Sequence, residues 1–337
     1  MKEAMLYYKL GDGKVKCSLC NHRCTIAPLK RGLCGVRENR EGILYSMVYN
    51  KAISRNIDPI EKKPIFHLFP GSESFSIATA GCNFRCLHCQ NSDISQMPKD
   101  QDRIPGRDFE SKEIVSQALQ HNCKSISYTY TEPTIFFEYA YDTAELAHKQ
   151  GIKNVFVTNG YMTKEALYTI KPYLDAANVD LKAFSDEFYK EICGAKLNFV
   201  LDSIRTLREL GVWIEITTLI IPTLNDGEEE LKRIAEFIRE VGEEIPWHVS
   251  AFHPTYKLLD RPRTSAKMLH RAREIGLGVG LRYVYCGNIP GDEGENTYCY
   301  TCKELLIQRY GYQILKNRIK DGLCPDCEAK IDGIGLG

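Results

Sequence analysis

Cysteine offers the most chemistry in this 337-residue chain: all but Cys123, Cys193 and Cys286 of its 14 cysteines fall into three groups. The central group, Cys82, Cys86 and Cys89, has the spacing C-x3-C-x2-C within SIATAGCNFRCLHCQNSDISQ, and no fourth cysteine follows closely. A structural zinc or an electron-transfer cluster wants four protein ligands. Three thiolates on one short loop therefore suggest a [4Fe-4S] cluster with one iron left free for a substrate or cofactor. Gly81 lets the chain turn where a Cβ would obstruct it, and backbone N–H groups of such a loop can point at cluster sulfurs and tune the potential. The competing reading is a zinc knuckle, which needs His88 or another ligand to close it.

The outer groups have four members each. Cys17, Cys20, Cys24 and Cys34 are spaced C-x2-C-x3-C-x9-C, with Gly32 and Gly35 beside the last. That fits a tetrahedral zinc site stapling a region too small for its own core. An auxiliary iron–sulfur cluster feeding electrons to the first is the alternative, and His22 offers an alternate ligand. Cys299, Cys302, Cys324 and Cys327 form two C-x2-C pairs separated by 21 residues. This is a zinc-ribbon or rubredoxin-like pattern, expected to hold zinc as a structural staple. The three remaining cysteines read as buried small side chains.

The string GCNFRCLHCQN followed by ISQ resembles the radical S-adenosylmethionine (SAM) superfamily, in the branch related to pyruvate formate-lyase activating enzymes. More narrowly, DPIEKKPIFHLFPGS, YVYCGNIPG and the C-terminal tail are similar to the AmmeMemoRadiSam group, over nearly the whole length. The resemblance implies a cluster whose free iron binds the amino and carboxylate groups of SAM, with reductive cleavage to methionine and a 5′-deoxyadenosyl radical. It implies a low-potential electron donor such as a ferredoxin or flavodoxin and, by the group's name alone, Memo-like and Amme-type protein partners. His88 stands where the superfamily usually has an aromatic ring before the last cysteine, and an imidazole can still stack on adenine. Tyr130, Thr131 and Glu132 occupy the place of the GGE motif, so Glu132 is expected to accept hydrogen bonds from the methionine amino group. The competing role for Glu132 is a helix N-terminal charge beside Pro133. Thr158 and Asn159 resemble the TNG of the activating enzymes and would reach the ribose or carboxylate. Asp180 and Lys182, on one face of a strand, would touch cofactor or substrate, or form a structural ion pair.

Those residues need a scaffold, and the chain supplies a regular one. From Ser74 onward strand and helix patterns alternate: SFSIATA, SISYTY, NVFVTNG, AANVDLKA, VWIEITTLII and WHVSAF are strands separated by amphipathic helices. Ser111 and Thr163 read as N-caps, and Gly151 and Gly211 as stops. Six strand–helix units imply parallel strands and right-handed crossovers, hence an α/β fold of the partial (β/α)6 TIM-like barrel class with chemistry at the C-terminal strand ends. The expected domains are residues 1–72, a four-cysteine extension and lead-in; 73–290, the barrel; and 291–337, the four-cysteine tail. Along the later strands, Asn225 and Asp226 read as caps for the following helix and Ile220 and Ile221 as flanks for adenine. His253, beyond its strand end, reads as a better substrate-side candidate than His248. CGNIPGDEGENT reads as a lid.

Lys plus Arg and Asp plus Glu each number 44, so no net field draws nucleic acid or an anionic membrane. No apolar run of about 20 residues occurs and the N-terminus lacks a signal-peptide core, which predicts a cytoplasmic protein. An enzyme abstracting hydrogen from an unidentified substrate is the leading expectation. A glycyl-radical enzyme activase is its alternative. A non-catalytic zinc-binding recruitment module is opposed by the neutral charge and the complete barrel pattern.

Overall fold

The computed structural model describes residues 1–337. Its centre is an eight-stranded sheet whose strands lie in sequence order. They are β1 (Ser54–Pro59), β2 (Glu73–Ala78), β3 (Ser125–Tyr128), β4 (Lys153–Thr158), β5 (Ala176–Asp180), β6 (Trp213–Ile220), β7 (Trp247–Ala251) and β8 (Val284–Gly287). β1 runs antiparallel to β2, with Ser54 opposite Ala78, and every later neighbour is parallel. β8 and β1 are unpaired edges, so the barrel stays open. The antiparallel edge strand comes from the lead-in, which the sequence placed outside the barrel.

The longest helix of each parallel crossover is, in order, α1 (Ser111–Gln120), α2 (Phe137–Lys149), α3 (Lys164–Ile170), α4 (Leu197–Glu209), α5 (Glu228–Val241) and α6 (Ala266–Val279). The parallel strands β2–β8 are buried almost throughout, as a sheet covered by helices requires, whereas the edge strand β1 is largely exposed. Gly276 on α6 lets the helix settle onto the Trp247 ring; a Cβ there would lie 2.9 Å from it. Thr163 caps α3 as expected, accepting from Ala166 N at 3.2 Å. Ser111 does not cap α1. Its hydroxyl instead accepts a hydrogen bond from Thr143 on α2, and the capping box is formed by Glu110 and Glu113. The segment DEFYKEICG makes one turn over Asp186–Phe188, widens into a π-turn over Tyr189–Cys193 and stops at Gly194, with φ +71°.

The N-terminal region forms two small antiparallel sheets that share the main hydrophobic core. The C-terminal region forms a three-stranded antiparallel sheet over a small core of its own, which includes Phe66, Tyr285, Cys299 and Cys324. No helix is long and apolar enough to cross a membrane.

Candidate active site

A cavity of about 410 Å³ opens at the C-terminal ends of the parallel strands, and Cys82, Cys86 and Cys89 line it. The loop that carries them leaves β2 and is fixed by backbone bonds to the π-turn, Arg85 N to Cys193 O at 2.9 Å and Leu87 N to Ile192 O at 3.0 Å. Gln96 and Lys99 both donate to Phe84 O, at 3.2 and 2.6 Å. Phe84 N donates to Cys82 Sγ at 3.4 Å, and Ser95 Oγ lies 3.1 Å from Cys89 Sγ. Burial pushes the Cys82 and Cys89 thiols up. Cys86 is raised by the neighbouring Cys193 thiol first and by burial second. These sulfurs are therefore protonated at neutral pH until a metal takes the protons' place.

The cavity wall has polar atoms with nothing to bond. His88 is buried with neither ring nitrogen partnered, and Thr217 Oγ1 and Glu61 Oε2 are in the same state. Such groups cost free energy unless a ligand meets them. Burial and then Lys182 push the His88 imidazole down to about 3, so the ring is neutral. Three soft sulfur ligands beside unmatched polar groups fit an iron–sulfur cluster with an organic cofactor next to it.

The other expected residues divide. Glu132 lines the cavity, yet its Oε1 accepts from Thr134 N, the Thr134 hydroxyl and the Thr158 hydroxyl, and its Oε2 from Asn159 N at 2.8 Å. The carboxylate thus caps the turn at Pro133 and stitches two strand-end loops together, with one lone-pair position on Oε2 left for a ligand. Thr158 is spent on Glu132 and is absent from the cavity wall. Asn159 is on the wall, and its Nδ2 donates to Asn83 Oδ1 at 2.7 Å with Cys82 Sγ 3.8 Å away. Asp180 and Lys182 are both on the wall and paired at 2.8 Å. Burial works against the Lys182 ammonium, but Asp180, then Cys86 and Cys193, hold it well above its usual value.

His248, set aside in the sequence, lines the cavity, and His253 does not. Side chains alternate along β7, so His248 and Ser250 share the inner face, while Phe252 N is tied to Thr264 Oγ1 and turns the following loop away. Glu215 on β6 is buried and accepts from His248 Nε2 at 2.7 Å, from Phe66 N and from His67 N. Although burial raises it, the bond from His248 brings the Glu215 carboxyl below its ordinary value, so it stays ionised and fixes the imidazole. Ile220 and Ile221 are buried away from the cavity, and Leu219 lines it instead. Asn225 caps no helix. It accepts from Ile221 N and donates to Lys182 O at 2.7 Å, which steadies the Lys182 strand end. Asp226 accepts from Thr223 N. Of the expected lid, Cys286, Gly287, Asn288 and Glu295 form part of the wall, joined by Gly311 and Tyr312 from the tail.

The outer cysteine groups differ in tightness. All four C-terminal sulfurs lie within 4.8 Å of one another, with Cys299 to Cys327 at 3.6 Å and Cys302 to Cys324 at 3.7 Å. Neither the central trio nor any three of Cys17, Cys20, Cys24 and Cys34 come that close.

Comparison with known proteins finds likenesses over the part of the chain that carries this site. The family model described as the Radical SAM superfamily matches residues 76–238, a stretch that holds the thiol loop and Glu132, Asn159, Lys182 and Glu215. An uncharacterized protein of Methanocaldococcus jannaschii is 48% identical over 335 residues, covering 98% of this chain and 99% of its own. The pyruvate formate-lyase-activating enzyme of Clostridium pasteurianum is 25% identical over 189 residues, 53% of this chain and 76% of that one. A radical SAM methyltransferase from Sphaerobacter thermophilus shares the fold at 14% identity and a TM-score of 0.52, over 68% of this chain and 71% of that one. With the three thiols at the mouth of a parallel α/β sheet inside the matched stretch, residues 76–238 are a domain of the Radical SAM superfamily, and the chain is an enzyme.

Proposed function

We propose that Cys82, Cys86 and Cys89 hold a [4Fe-4S] cluster, that SAM occupies the adjoining cavity, and that the enzyme abstracts a hydrogen atom from a small-molecule substrate. The observation that carries this reading is the convergence of three thiols, Cys86 buried and Cys82 and Cys89 half-buried, on a cavity where both nitrogens of buried His88 lack a partner. When bound, the cluster and SAM together supply one-electron cleavage of a carbon–sulfur bond and a primary carbon radical. The chain's own residues position and exclude. Lys182, steadied by Asp180 and by Asn225 on its carbonyl, presents an ammonium to a carboxylate. His88 offers a neutral ring to adenine, and Asn159 braces the Cys82 loop. Glu215 holds His248 toward the substrate side, where the imidazole can bond or exchange a proton with a bound molecule. Glu295, Gly311 and Tyr312 close part of the mouth against water.

That wall favours a small molecule over the activase reading, in which a loop of a partner protein must enter; the activase reading draws its support from the name of the Clostridium pasteurianum relative. A low-potential ferredoxin or flavodoxin would deliver the electron, in a reducing compartment such as the cytoplasm. Memo-like and Amme-type partners rest on the narrower resemblance. Zinc suits the tight C-terminal thiols.

The test is anaerobic reconstitution followed by reduction with SAM. Formation of 5′-deoxyadenosine is expected, with SAM binding and cleavage both lost in Cys86→Ala; cleavage that survives in that variant defeats the assignment. Deuterated candidate substrates should pass label into deoxyadenosine. A glycine-centred radical on a partner protein would favour the activase instead.

A further inference from the structure

The N-terminal thiols do not have the geometry of a zinc site. Tetrahedral zinc, with Zn–S near 2.3 Å, sets its sulfurs about 3.8 Å apart, and the C-terminal sulfurs meet that spacing at 3.6 and 3.7 Å. Cys17, Cys20, Cys24 and Cys34 instead stand around a cavity of about 20 Å³, walled by apolar side chains such as Leu19, Ile26 and Ile135. That volume exceeds the roughly 10–15 Å³ on the same measure that a water needs, yet beyond sulfur and a single free N–H of Arg37 the wall offers a water little. A cuboidal cluster binds each thiolate through a different iron and so spreads them around such a space. The central trio, which lines its own cavity, is spread in the same way.

A second observation points to an anionic occupant. Arg37 lines this cavity at 2% exposure, and its Nε has no partner. Its other arms are committed, Nη1 to Glu138 at 3.0 Å and Nη2 to Met5 O at 2.9 Å. A buried, unpartnered N–H on a residue of this wall is matched by a cluster that carries net negative charge.

The cavity also abuts the central loop. The His22 ring, between Cys20 and Cys24, donates from Nε2 to Asn83 O at 2.9 Å, next to Cys82. At Gly81, a Cβ would fall 3.2 Å from Cys34 O and 2.8 Å from Val36. Tyr161 bridges the two loops, its ring 4.8 Å from His22 and 5.1 Å from Phe84.

We propose that Cys17, Cys20, Cys24 and Cys34 hold a second iron–sulfur cluster, in place of the zinc that their spacing alone suggests, and that it serves as a one-electron relay into the central site. A donor protein of the ferredoxin or flavodoxin class loses one electron; the N-terminal centre gains it, passes it on and returns to its starting state, so only the donor is oxidised and no proton moves. The relay role rests on the function proposed above, whereas the identity of the N-terminal metal does not.

Three proteins, reconstituted anaerobically, decide the matter by iron, sulfide and zinc analysis and by electron paramagnetic resonance after reduction. Wild type is expected to hold about eight irons and eight sulfides per chain with about one zinc, from two cubane clusters and the C-terminal site. With Cys82, Cys86 and Cys89 all changed to Ser, about four irons should remain, giving a signal that SAM does not alter because every iron has a protein ligand. With Cys20→Ser and Cys24→Ser, the remaining signal should shift on adding SAM. Wild type with about four irons and two zincs would overturn the proposal, as would a central-trio variant that carries zinc and no iron. These readings of the wild type and the central-trio variant stand even if the Cys20 and Cys24 variant fails to fold. If the central reading alone is wrong, SAM alters no signal in any of the three while iron persists in the central-trio variant.

Discussion

The two ends of the chain each gather four cysteines, and the scaffolds beneath them differ. At the C-terminus the two pairs are near copies: Lys303 N bonds Cys299 O and Glu328 N bonds Cys324 O, both at 2.9 Å, and Lys303 and Glu328 both take positive φ after their second cysteine. Two like knuckles facing each other across a hairpin bring their sulfurs to within 4.8 Å. At the N-terminus only Cys20 to Cys24 is a compact turn; Cys17 ends a strand and Cys34 arrives from a loop that leans on the Gly81 turn. Cysteine count is the same, and the secondary structure that spaces the thiols decides what they can hold.

The largest test of this contrast is metal removal. Cys302→Ser with Cys327→Ser should release the C-terminal metal, whose binding supplies folding free energy on the order of 10 kcal/mol in small four-ligand sites. Limited proteolysis should then cut within 299–337 while the main sheet remains protected. Because Cys327 is exposed and Cys17 and Cys34 are buried, a chelator should likewise strip this end before the other, as metal analysis of the eluate will show. Arg37→Met comes next: it leaves Glu138 buried without its partner and should cost about 3–5 kcal/mol in denaturant unfolding. Gly81→Ala follows, since φ is +103° and the added Cβ meets Val36 and Cys34 O; a loss of about 1–3 kcal/mol is expected, with altered iron retention.

The smallest effect is a pH dependence at the junction of tail and sheet. His67 is buried, with its ring against Asp332 O and the Tyr285 hydroxyl, each at 2.6 Å, and burial lowers its pKa below the ordinary 6.5. Below that value the unfolded chain takes a proton that the folded chain refuses. Stability contributed here is therefore complete above about pH 6.5 and falls as pH drops toward the folded pKa, by at most about 1.4 kcal/mol per pH unit. In His67→Gln that slope should disappear from pH-dependent unfolding curves.

Much of the architecture was legible because it is local. Periodic strands, the Thr163 cap and the glycine stops are written in short windows, and they give the six crossovers and the open parallel sheet. The cysteine groups were legible from spacing. What stayed hidden depends on register between distant segments. Glu215 meets His248 because Thr217 pairs with His248 across β6 and β7, a relation that no window around either residue contains. Glu132 lines the cavity, and of its four protein donors two come from nearby Thr134, while those from Thr158 and Asn159 reach it only through the adjacency of β3 and β4. The distance between thiols was likewise beyond spacing.

The tail's place in the cavity wall has a consequence for how the enzyme is made. A ribosome releases Glu295, Gly311 and Tyr312 long after the loop at 82–89, so during synthesis the nascent pocket stands open on that side. Any machinery that delivers inorganic cargo has its easiest entry then, before Arg309 reaches Phe66 O and seats the last strands. Loading is thus least obstructed before the tail docks, and afterwards must pass through the narrower mouth that remains.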